Sequence, residues 1–424
     1  MPDAASQEFS TQWSSPSDIF SILLILGGDV ITLSIAALSG SASITPIAFS
    51  FGWAAYAMSA LLSAVGDNKL MRCAPEVALR VFNLKNGHVR ENASWVLGRL
   101  FRDYEFWMDA DVRAASMVSQ YPHDEGEQRS HTPNAVTCVL RSVFGAAPKK
   151  RDNGLCIAVY NWSLHHAPGN PKQDLVWWSG VLVTIVQLVV AAIPWILEAN
   201  WAIFLVTCAG TLLSYASASL PQWKREKFAT RTSKKSIALT LGQGCHHVII
   251  VQGAENGLDL EALAAGRSPS LQSTRFYVVV LALGWIALLI SSTGINLHTW
   301  FLLAVGGLGM LHNLAVAGMP RRPAALGLPI ELARRPVTTG SGHNGIDTVP
   351  DIYVEEKVMF TLMELEMGYK GYGKALLSEF FPGALFPLEQ EWWDSGDEVE
   401  RFHLLAKLRD NWDMKKAQRV APKE

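Results

Sequence analysis

Charge is scarce in this sequence. Only 17% of its 424 residues are Asp, Glu, Lys or Arg, against roughly a quarter in soluble domains. The scarcity is local, because residues 1–66, 175–220 and 276–319 contain no Lys or Arg at all. That pattern excludes a soluble enzyme, a disordered chain and a secreted scaffold. Cysteine is also sparse: five residues, at 73, 138, 156, 208 and 245, odd in number and without a CxxC pair, so no disulfide framework is expected. There is no GxSxG, no HExxH and no DxD-type metal cluster, the one Asp109-Ala110-Asp111 pair having no histidine beside it, and with them go the common signatures of hydrolases and metalloenzymes. The 36 basic and 38 acidic residues leave a formal charge of −2, which gives no reason to expect a nucleic-acid partner.

What takes the place of charge is six long apolar runs, at 19–38, 44–65, 175–197, 201–220, 276–295 and 297–319. A helix rises about 1.5 Å per residue and the hydrocarbon layer is about 30 Å thick, so each run reaches or approaches spanning length. The runs are apolar around their whole circumference, unlike the one-sided stripe of a soluble helix. The fold class expected is mainly α: a polytopic bundle of six transmembrane helices in three hairpins, with a small α/β module built from loops and a helical C-terminal tail. Its divisions are an N-terminal segment (1–18), hairpins at 19–66, 175–220 and 276–319, loops at 67–174 and 221–275, a flexible linker (320–350) and the tail (351–424).

Basic residues near span ends are retained in the cytoplasm. All of them fall in the two loops and after residue 319, so both termini are expected in the cytoplasm, with the turns at 39–43, 198–200 and 295–296 outside. The expected location is a membrane crossed several times, plasma membrane or endomembrane. Residues 1–18 hold Asp3, Glu8 and Asp18 but no base, which speaks against a cleavable signal. The sequons at Asn92 and Asn161 fall on the cytoplasmic side in this scheme and should stay unmodified.

In the first loop, residues 78–84 read as a strand leading into an Asn86-Gly87 turn, 94–112 as a helix and 155–160 as a second strand. In the second loop, 248–251 reads as a third strand, so that strands from two loops share one sheet. Its basic entry, Lys224, Arg225, Lys227 and Arg231, suits anionic lipid, at about 1 kcal/mol per residue near the leaflet. The tail carries an apolar stripe from Val354 to Leu376 and a second from Val399 to Trp412, both expected to pack on the module.

Four polar residues inside spans are the candidate binding residues: Asp29, Gln187, His312 and Asn313. A carboxylate is costly in hydrocarbon unless paired or protonated. Gln187 falls at a depth similar to Asp29, and an amide hydrogen bond between them would be structural; a polar cavity around them would mark a transport path. His312 and Asn313 lie nearer the cytoplasmic end, where they can reach water. Cys245-His246-His247 has ligand types but not ligand spacing, since neighbours on a strand point to opposite faces. The segment Gly371-Tyr372-Gly373-Lys374 resembles an acyl-CoA pyrophosphate loop, but the upstream strands of that fold have no room. No catalytic pair and no cofactor motif is found. Spans four and six echo each other at Trp201 and Trp300, Gly210 and Gly309, Pro221 and Pro320.

Three stretches, Phe49-Ser50-Phe51-Gly52-Trp53, Gly257-Leu258-Asp259-Leu260-Glu261 and Phe380-Phe381-Pro382-Gly383 with Trp392-Trp393, resemble a family of multi-pass membrane proteins of filamentous fungi. The resemblance implies a shared architecture and brings no site residues. Three functions are weighed: a membrane-anchored scaffold or sensor acting through its module, a transporter or channel-like protein using Asp29, and, third, a membrane-bound enzyme with a site assembled from the module's loops, for which no nucleophile and base pair stands out.

Overall fold

The computed structural model describes residues 27–66, 69–118, 154–228, 231–266, 272–295, 297–337 and 347–420. Along the chain, α1 (Gly28–Leu38) and α2 (Gly52–Val65) are followed by the hairpin β1 (Arg80–Asn83) and β2 (Val89–Glu91), whose turn has Gly87 at φ 69°. Three short helices come next, α3 (Trp95–Arg102), α4 (Tyr104–Trp107) and α5 (Ala110–Val118), where one helix was expected over 94–112. Then come β3 (Cys156–Trp162), the long helices α6 (Leu175–Glu198) and α7 (Ala202–Ala218), and the short α8 (Pro221–Lys227), bent by 41° from α7. Strands β4 (Ile237–Thr240) and β5 (His247–Val251) and helix α9 (Leu260–Ala264) precede the apolar pair α10 (Gln272–Thr293) and α11 (Thr299–Gly318). The chain closes with α12 (Pro323–Leu326), β6 (Ile330–Leu332), β7 (Arg334–Val337), β8 (Asp347–Pro350), β9 (Ile352–Val354), α13 (Val358–Gly368), α14 (Tyr372–Phe380), α15 (Pro387–Asp394) and α16 (Glu398–Val420).

The fold is mainly helical. Among the described residues three helices are long and apolar enough to cross a membrane, α6, α10 and α11, and the bent pair α7 and α8 makes a fourth candidate. Hairpin one departs from expectation. Of the run at 19–38 the described part is α1, and only 52–65 of the run at 44–65 is helical; residues 45–50 are extended and buried. Pro46 explains part of this, since it pushes Thr45 out of the helical region and cannot donate a helical hydrogen bond itself.

Six helices form a closed ring in which α1, α2, α10, α7, α6 and α11 are successive neighbours, with α11 returning to α1. The extended segment 45–50 runs up the middle. Outward faces are apolar and exposed, for example Leu182, Leu212, Leu283 and Leu311. Buried polar side chains, among them Gln187, Ser214 and Asn313, turn inward. This is the distribution a bundle takes when its solvent is lipid.

The module is a mixed sheet in the order β2-β1-β4-β5-β3-β6, with β9 also on β3. Only β3 and β5 run parallel, in register from Cys156 with His247 to Tyr160 with Val251. Because side chains alternate across a strand, Ala158 and Tyr160 of β3 join the core shared with α3 and the bundle, while Ile157 and Val159 face the tail helices. Tail residues Leu362, Leu365, Trp392, Trp393 and Leu405 cover that second face. The module is therefore helix, sheet and helix in three layers. The stripe from Val354 to Leu376 is divided among β9, α13 and α14, broken where Gly371 takes φ 92°. Residues 330–337, expected in a linker, are strands β6 and β7.

Candidate functional site

Three of the four candidate residues lie together at or beside the bundle axis, and for two of them, Gln187 and Asn313, the partner is backbone. Gln187 Nε2 donates to Phe49 O (2.7 Å) and Val305 O (2.8 Å). Asn313 Nδ2 donates to Ala48 O at 3.0 Å, and Ser214 Oγ donates to Ile47 O at 3.1 Å. An extended segment in a low-dielectric bundle has carbonyls that no helix satisfies, and each would cost several kcal/mol if left alone. The side chains of α6, α7 and α11 take that role. His312 meets Ser179 Oγ at 3.0 Å through Nε2, so it is tied to α6 rather than reaching for water.

Small residues let the backbone sit this deep. A Cβ at Gly180 would overlap Pro46 O, one at Gly309 would overlap Phe49 O, and one at Gly210 would strike the Phe49 ring. The two glycines of the echo between spans four and six thus serve one purpose, clearance for Phe49. Aromatic rings continue the column: Phe49 and Trp53 both stack on Trp285, with centroids 6.2 and 5.5 Å apart, and Tyr56 joins Trp53 to Trp223. The space left beside Phe49, Phe51 and Trp285 is about 20 Å³.

Asp29 is elsewhere. It occupies the exposed side of α1 in its first turn, where the helix dipole favours a carboxylate. It does not meet Gln187, whose amide nitrogen is spent on Phe49 O and Val305 O. The expected pair is not formed.

The turn at 39–43, expected on the far side of the membrane, lies at the module end of the bundle. Gly40 packs near Phe228 and Lys224, and the end of α1 is held by Lys227, whose Nζ reaches Ala37 O (3.2 Å) and Ser39 O (3.0 Å). Arg321 Nη1 also donates to Ala37 O, while its other nitrogens grip Asp174 at 2.7 and 2.9 Å. Arg99 caps α11 through Ala317 O (2.7 Å) and Met319 O (2.6 Å), and pairs with Asp103 and Glu76. Helix C-termini expose unpaired carbonyls and a partial negative charge, so the guanidinium groups of Arg321 and Arg99, each paired with a carboxylate, and the N–H donors of Lys227 are suited to them. Sequence reasoning passed over this cluster. Its signal is Asp174 and Arg321 standing directly beside spans three and six.

Of the expected lipid contacts, Lys224 and Arg225 are exposed, and Lys224 Nζ bonds Asn170 Oδ1 at 2.6 Å. Lys227 is fully buried and Arg231 pairs with Asp259 at 3.2 Å. Lys227 therefore cannot reach a lipid headgroup.

The module holds a cleft of about 410 Å³ at the C-terminal ends of the parallel strands β3 and β5, lined by Asn161, His165, Gln252, Glu331 and Arg334 among others. Arg334 is paired with Asp111 at 2.8 Å. The Tyr369 hydroxyl donates to the buried carboxylate of Asp351. Burial and then Asp351 push the Tyr369 hydroxyl up to about 12, so it stays a donor. Among the described residues no group of His, Cys, Asp and Glu is placed to hold a metal ion; His247 instead packs edge-on to Tyr104, 5.3 Å between centroids. No protein family model matches this chain, nor does any curated protein or solved structure.

Proposed function

We propose that this chain is a membrane-anchored scaffold or sensor whose working part is the sheet module. In this reading the six-helix ring sits in the bilayer with its module end toward the cytoplasm, the side to which every Lys and Arg of the sequence is assigned by the retention of basic residues. One observation carries the reading: the ring's axis is occupied by its own backbone, tied there by Gln187, Ser214 and Asn313, whereas the module keeps a cleft of about 410 Å³. Ligand sites favour the C-terminal ends of parallel strands. Asn161 and Gln252 offer carboxamides there.

The channel-like alternative has one feature in its favour, the non-helical segment 45–50 at bundle depth, because such backbone lines the sites of many transporters. Against it stands the exposed position of Asp29. A thermal-shift screen of metabolites, nucleotides and ions on the detergent-purified protein separates the two, since a ligand of the folded state raises apparent stability. The module reading expects any stabilising compound to lose its effect in Asn161→Ala with Gln252→Ala and to keep it in Asp29→Asn. Loss of the effect, or of ion flux in proteoliposomes, on Asp29→Asn alone would overturn it.

A further inference from the structure

We propose that Lys227 is a proton switch at the junction between bundle and module, uncharged in the closed arrangement seen here and loosening the hold on the end of α1 when it takes up a proton. Its Nζ is fully buried and touches two carbonyls, Ala37 O and Ser39 O. No carboxylate lies within ion-pairing distance of it among the described residues. The acids nearby are already committed: Asp174 to Arg321 and to the Trp177 amide, Asp103 to Arg99, Arg102 and the Arg321 amide, Glu76 to Arg99 and Arg102. On its own helix, Lys224 and Arg225 are exposed and Glu226 is turned to the amides of Leu70 and Met71.

A neutral amine has two N–H donors, enough for both carbonyls. The third proton of an ammonium finds no oxygen acceptor in the hydrogen bonds made there, only the face of the Phe228 ring 5.5 Å away, and it adds a charge beside Arg321, which already shares Ala37 O. Burying a charge without a counterion is strongly unfavourable. The titratable groups that face Lys227 are Arg321, Arg99 and Asp174; burial first, then the two guanidinium groups, hold its amine well below the ordinary lysine range, and only Asp174 opposes them. The unfolded chain therefore binds more protons than the closed state, so stability is gained as pH rises from the folded-state value toward the unfolded one and is lost as pH falls. Ala37 and Ser39 end α1, and the turn after them leads straight into the segment 45–50. Release at Lys227 acts on the axis of the bundle.

The test compares full-length wild type, Lys227→Met and Lys227→Arg in detergent between pH 10 and 6, by thermal unfolding and by hydrogen-exchange protection factors of amides 37–45. Wild type is expected to lose about 3 °C or more as pH falls, with protection at 37–45 falling about tenfold. The methionine variant should hold both values level, and the arginine variant should be low and level throughout. Parallel pH profiles for wild type and Lys227→Met would overturn the proposal. Should the methionine variant fail to fold, unchanged wild-type protection at 37–45 across this range would overturn it equally.

Discussion

Gln187 gives its amide nitrogen to two carbonyls, and Asn313 to a third. Replacing Gln187 with Leu keeps the volume but leaves Phe49 O and Val305 O unpaired, at about 1–3 kcal/mol per buried acceptor. A drop in melting temperature of several degrees is expected, far beyond that of Asp29→Asn, which should stay within about 0.5 kcal/mol as exposed positions do. Both are read by thermal unfolding in one detergent. The sequence marks Gln187, His312 and Asn313 as polar groups inside apolar runs, and in the structure Gln187 and Asn313 turn into the bundle interior. It did not mark their partner, because a carbonyl of an extended segment has no signature of its own. Asp29 shows the opposite error. Hydropathy puts it inside a run, but the face of the helix it occupies is set by packing, and packing turned it outward.

At the level of elements, the central segment was legible in hindsight. Ile44, Thr45 and Ile47 are β-branched, Pro46 stands among them, and Gly52 opens the following helix; these residues favour extended chain. Hydropathy counts apolar residues without regard to conformation, so the run passed as a span. The same physics makes a paired prediction. Gly309→Ala places a methyl group against Phe49 O, while Gly307→Ala, two residues away, enters open space. The first should cost about 1–3 kcal/mol through overpacking, and the second should be neutral or slightly stabilising through helix propensity. Where local chemistry alone decides, as at the Asn86-Gly87 turn, sequence and structure agree. Where one apolar stripe continues through a break, as at Gly371, the sequence reads two helices as one.

For the whole molecule, the sheet draws strands from both loops and from the chain after the last span, and the tail helices seal its second face. The membrane-like composition of the runs and the presence of a sheet were readable; the pairing was not, because strands such as β1 and β4 meet across more than 150 residues and nothing local specifies that choice. Leu362 is fully buried against Val159 and its neighbours in this seal. Leu362→Ala should cost about 2–5 kcal/mol and is expected to expose the sheet to an apolar dye without releasing the bundle from the membrane.

The account depends above all on the backbone of 45–50 filling the axis of the ring. Cross-linking reads this directly: with the native cysteines replaced by alanine, Phe49→Cys and Gly210→Cys are introduced together and the membranes are oxidised. A Cβ at Gly210 falls 2.9 Å from Phe49 Cγ, which brings the two side chains within reach of a disulfide, for which Cβ atoms lie about 3.5–4.5 Å apart. The expected result is a near-quantitative intramolecular bond that Phe49→Cys with Leu212→Cys, on the exposed side of α7, does not form. Failure to cross-link in protein that is folded and membrane-inserted would contradict the account and return the segment to a continuous span.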